Sequence, residues 1–140
     1  MINLRPLIEQ RIREQVPSLK EIAGASDLQS LLAGRLADAG CYIIPDSDRA
    51  SENSRVNAVA QRLVEQYSLI FIVRNLRDPR GADAADVCHA LRLGALAALV
   101  GWIPDPACEA FEKVSGRLIS FANGFYIWQD TYRTAQYIHS

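Results

Sequence analysis

Apolar residues recur along this chain with two different periods, and the switches between them mark out its elements. Leu4, Leu7, Ile8, Ile12 and Val16 fall at helical spacing, with Glu9, Gln10, Arg13 and Glu14 opposite. The spacing predicts a first helix, capped by Asn3 and ended before Pro17. After a linker anchored by Ile22, Ser26 and Gln29 have the spacing of a capping box. They predict a second helix through Leu28, Leu31, Leu32 and Leu36, stopped at Gly40. Tyr42-Ile43-Ile44 predicts a short strand closed by Pro45, and residues 46–57 read as a polar loop, long for a compact domain. From about Ala60 the period becomes two, which predicts one long strand to Arg74, with a helix over Val59 to Glu65 as the alternative there. Its run from Leu69 to Val73 is unbroken and suits a strand covered on both faces.

Arg77-Asp78-Pro79-Arg80-Gly81 forces a turn. Val87, Leu91, Gly94, Ala95 and Ala98 then return to helical spacing, and Gly101 with Pro104 ends that helix. Glu109 to Phe121 alternates, with a break near Gly116. Asn123-Gly124 between alternating runs calls for a type I′ hairpin, placing Phe121 opposite Tyr126, Ile119 opposite Trp128 and Arg117 opposite Asp130. The last strand runs to about Tyr137. Together these elements predict one α+β domain over residues 1–140, a mainly antiparallel sheet packed by a central and an N-terminal helix.

The central helix carries a tension. Asp83, Asp86, His89 and Arg92 give its first half a polar stripe, whereas Leu93 to Val100 is apolar all round. That end needs cover, either from another helix of the chain or from a neighbouring subunit. Leu93, Leu96, Val100, Trp102 and Trp128 are therefore expected to be buried or to contact a neighbour. Phe125 to Trp128 wants cover on both faces of its strand, which points to self-association.

A net charge of -1 argues against a general nucleic-acid binder. Lys20 and Lys113 are the only lysines, so nearly all positive charge is arginine. The N-terminus lacks the apolar core of a signal peptide, and no apolar run is long enough to predict a membrane span. Cys41, Cys88 and Cys108 read as reduced, buried thiols of an intracellular protein.

Candidate chemistry is sparse. His89 and His139 have no metal-ligand spacing, and Cys88 and His89 point about 100° apart on a helix. Ser115-Gly116 is no nucleophile elbow, Gly81 and Gly94 belong to no phosphate loop, and Asp83 and Asp86 suit the helix dipole. No catalytic group, cofactor or metal is expected.

The run Ile72-Val73-Arg74-Asn75 through Asp78 and Gly81, the Ala-rich helix and its ending Leu99-Val100-Gly101-Trp102-Ile103-Pro104 resemble tail terminator (tail completion) proteins of Mu-like and lambda-like long-tailed phages. So do Gln61 to Glu65 and Tyr126 to Tyr132, and the match spans roughly residues 59 to 134. The resemblance implies a virion subunit that forms a homo-oligomeric ring, typically a hexamer. Such a ring caps the tail tube, stops its growth and receives the head connector, without catalysis, cofactor or sequence-specific DNA contact. It makes the 46–57 and Arg77–Gly81 loops natural contacts to neighbouring rings, with Asp48, Arg49, Glu52, Arg55, Asp78 and Arg80 supplying charges of both signs. Another head–tail joining ring, or a small ligand-binding protein or enzyme with an unrecognised pocket, are the competing readings.

Overall fold

The computed structural model describes every residue from Met1 to Ser140. The elements run α1 (Arg5–Gln15), β1 (Glu21–Gly24), α2 (Leu28–Ala33), β2 (Ala39–Ala50), β3 (Ala60–Arg74), α3 (Ala82–Leu99), β4 (Glu112–Ala122) and β5 (Phe125–His139). The strands make one sheet in the order β1-β2-β3-β5-β4. Only β1 and β2 pair in parallel; the other neighbours are antiparallel, so the domain is α+β.

β3 is central because both of its faces are apolar. Tyr67, Leu69, Phe71 and Val73 point to one side, where Leu4, Ile8, Ile12 and Val16 of the α1 segment and Ala84, Cys88, Leu91, Ala95 and Leu99 of α3 close the main core. Ile70 and Ile72 point to the other side and join Tyr42, Ile44 and Ile127 in a smaller cluster beneath α2. No residue of α2 is fully buried, so this second cover is thin.

Several boundaries differ from expectation, each for a local reason. Asn3 is not the N-cap of α1: Leu4 holds that position, while Asn3 Oδ1 accepts the Arg5 N–H at 3.3 Å. Asp27, not Ser26, caps α2, its carboxylate accepting the Ser30 N–H at 2.7 Å. The helix stops at Ala33, well short of Leu36 and Gly40. Glu21–Gly24 forms an unexpected strand; four residues are too few to show a period, and pairing with Gly40–Ile43 supplies the order.

β2 runs through Pro45 instead of ending there. β1 pairs only as far as Ile43, so Pro45 lies on a free edge, where a missing N–H is tolerated. A bulge follows between Pro45 and Ser47, and Asp46 to Ala50 continue the strand. The connection to β3 is thus shorter than the 46–57 loop. Asn53 ties it together, accepting from the Ala60 N–H at 2.9 Å and donating to Ala58 O at 2.8 Å. Val59 lies outside the regular elements, and from Ala60 the chain is strand rather than helix.

The hairpin forms as expected, with φ of 56° at Asn123 and 78° at Gly124, and with Phe121 opposite Tyr126. A bulge between Leu118 and Ser120 then shifts the register. Leu118 faces Trp128 and Gly116 faces Asp130, where Ile119 and Arg117 were expected.

Trp102, just past α3, lies on Phe111 with ring centroids 5.7 Å apart and planes 10° from parallel, and the Arg11 guanidinium sits 5.5 Å over its ring. The tryptophan is partly buried. Trp102→Ala is expected to cost about 3 kcal/mol, the low end for removing a large aromatic. Urea denaturation checks this, and an unchanged midpoint would show that the stack adds nothing.

Candidate functional site

Asp130 is the most buried charge in the chain. It belongs to the alternating set Tyr126, Trp128, Asp130, Tyr132 of β5, which shares a face with Phe71 and Leu69. An aspartate forced onto a core face by the strand period needs partners. Arg92 of α3 supplies two, with Nε and Nη2 donating at 2.8 and 3.0 Å. Lys113 Nζ lies at 2.9 Å, and Trp128 Nε1 donates at 2.8 Å. Arg92 also stacks 4.0 Å above the Trp128 ring. Burial pushes the Asp130 carboxyl up, but these hydrogen bonds outweigh it and hold it below the ordinary 3.8.

Arg92 was expected on the solvent stripe of α3; it turns instead to the sheet and bolts the helix to the β4–β5 hairpin. Gly116 makes the room. A Cβ there would lie 2.3 Å from Asp130 Oδ1, 3.1 Å from Trp128 Nε1 and 3.2 Å from Arg92 Nη2. The carboxylate is held on several sides and cannot easily yield. Gly116→Ala is therefore expected to destabilise by about 1–3 kcal/mol, as overpacking does. A melting temperature equal to the parent's would contradict this fit.

The charged loop candidates do not form one site. Asp48 and Arg49 lie on the outer half of β2, and Glu52 and Arg55 lie in the connection to β3. All four are exposed. Asp78 and Arg80 precede α3 at the other end of β3, which spans about 45 Å at 3.3 Å per residue. Asp78 has a local duty. Its carboxylate accepts the N–H groups of Arg80 at 2.9 Å and Asp83 at 3.2 Å, bonds that also lower its pKa. Arg80 is exposed.

α1 and the sheet bury Ala95, Ala98 and Leu99 at the apolar end of α3, and leave the opposite side open. Leu93 is 51% and Val100 48% exposed, so the same chain does not cover them. Leu96, Trp102 and Trp128 are partly buried and pack against the main core. Cys88 faces that core, and burial pushes its thiol up to about 12, so it stays protonated. His89, its sequence neighbour, is exposed on another side of the helix. No three His, Cys, Asp or Glu side chains are grouped to hold a metal ion, and no helix is long and apolar enough to cross a membrane.

Three comparisons bear on this geometry. A family model described as phage tail terminator protein matches residues 3–140. A chain from a solved structure titled "Virion of native gene transfer agent (GTA) particle" superposes with a TM-score of 0.61 at 12% identity, over 96% of this chain and 95% of that one. At that identity the likeness is one of fold. None of the curated proteins compared matches the chain.

Proposed function

Because the chain belongs to the phage tail terminator family, we propose that its subunits assemble into a hexameric ring that caps the tail tube, halts its growth and receives the head connector. A structural tail protein of a virion is the coarse role that membership carries. The observation that supports the finer role is the uncovered apolar side of α3, where Leu93 and Val100 are half exposed.

The separation of the charged loops fits the same role. A ring stacked between two others needs contacts on both of its rims. The outer end of β2 with Asp48 and Arg49 and its connection to β3 with Glu52 and Arg55 lie at one end of the long β3 strand, and the loop with Asp78 and Arg80 lies at the other. One rim would meet the tube protein and the other the connector. DNA would pass through the bore without sequence-specific contact. The work is packing and docking, and it uses no reacting group.

Light scattering coupled to size exclusion tests the ring. A species of about six subunits is expected at high protein concentration or at tube ends. Leu93→Glu places a charge on the open side of α3, where the monomer core does not depend on it. The variant is expected to keep its circular dichroism and melting temperature and to lose at least tenfold in assembled fraction. Normal assembly of Leu93→Glu would show that this side of α3 is not an interface.

A further inference from the structure

The open side of α3 has a counterpart on the same molecule. Turning 100° per residue, α3 aligns Asp86, Ala90, Leu93, Ala97 and Val100 on the side away from the sheet. All five are exposed. The result is a narrow apolar ridge with an acidic end, since Asp83 and Asp86 have no ion-pair partner in the subunit.

On the opposite face of the sheet, a cleft of about 360 Å³ lies between the end of α2 and the β4–β5 hairpin. Leu32, Leu36, Ala122, Phe125 and Ile127 line it. It exists because the short α2 covers the smaller core cluster incompletely, leaving its leucines part-exposed over Ile72 and Ile127. Arg35, between the lining residues Gly34 and Leu36 in the chain, is exposed and likewise without an ion-pair partner.

We infer that the α3 ridge of one subunit seats in the α2–hairpin cleft of the next, with Asp86 or Asp83 meeting Arg35 across the contact. This rests on the ring reading and says how the ring closes. Ridge and cleft lie on opposite faces of one sheet, so joining them gives a head-to-tail contact, which a closed ring requires. A twofold contact of ridge on ridge would leave the cleft empty and Arg35 unanswered. Ridge in cleft covers both apolar surfaces and pairs the idle charges, which fix register more than they add affinity.

Directed cross-linking tests it. Cys41, Cys88 and Cys108 are buried, so introduced surface cysteines react selectively. Ala97→Cys and Ala122→Cys are made separately and mixed under the conditions where scattering detects the ring. A short bismaleimide is expected to join the two variants to each other, and neither to itself. The double variant should give a ladder ending at the ring's subunit number. Asp86→Arg should lower the assembled fraction at least tenfold, and Arg35→Asp in the same chain should restore it. A ring that forms without any 97-to-122 cross-link overturns this contact and leaves the ring standing. Cross-linking of Ala97→Cys to itself overturns it in favour of a twofold contact. A subunit that stays monomeric at high concentration and at tube ends removes the ring, and this contact with it.

Discussion

Asp130→Asn is expected to lower subunit stability by about 3–5 kcal/mol, the cost of removing one partner from a buried ion cluster. The substitution keeps the shape and removes the charge that answers both Arg92 and Lys113. Those cations are mostly buried themselves, with side chains 22% and 27% exposed, so water restores little of what they lose. The amide also turns one acceptor oxygen into a donor that faces other donors. Chemical denaturation at pH 7 measures the loss. A change below about 1 kcal/mol, the range of an exposed pair, would mean that the cluster does not hold α3 to the hairpin.

The same residue fixes the acid response. Asp130 titrates below its ordinary value in the folded subunit. Stability from a depressed carboxyl is complete above the unfolded pKa of about 3.9 and is lost as pH falls through the folded value. The gap between wild type and Asp130→Asn should therefore be constant from neutral pH to about 5 and shrink below about 4. Other carboxylates with lowered pKa, such as Glu109 held by Arg62 at about 2, act in both proteins and cancel in the difference.

Phe71→Ala is the second large effect, expected at about 3–5 kcal/mol. Phe71 is fully buried in the second half of β3, in the core cluster closed by α1 and α3. Neighbouring strands on both sides fix its backbone, since it pairs with Cys41 and with Trp128. The site cannot collapse around the space left, so the cavity term stays large. A loss under about 1 kcal/mol would show a core able to repack, contrary to the close packing expected of such interiors.

The long strand, the central helix and the Asn123-Gly124 turn were legible because each carries a strong local signal: an unbroken apolar run, a helical period, a dipeptide that takes positive φ. β1 was not, because its four residues become a strand only by pairing with β2. The outer half of β2 was hidden by its composition. Asp46 to Ala50 look like loop, and their pairing with β3 overrides that preference. The hairpin register failed at one bulge, which no local residue announces.

For the site, the helix being apolar all round showed that its end needs cover but not whether the chain supplies it, and the structure leaves Leu93 and Val100 half exposed. The Asp130 cluster did not follow, although the alternation Tyr126, Trp128, Asp130, Tyr132 puts that aspartate on a core face and so demands cations. The placement of Arg92 on the polar stripe concealed the partner. A long arginine at the margin of a helix can turn toward the sheet when a buried carboxylate lies beneath it.

The proposed role of this subunit is to end a tail tube. Its most direct test is the length distribution, by electron microscopy, of tubes grown from the cognate tube protein with and without this protein. Tubes are expected to stop growing, each with an added ring at one end, and Leu93→Glu is expected to restore growth. Tubes that lengthen equally with and without the protein, and carry no added ring, would contradict it.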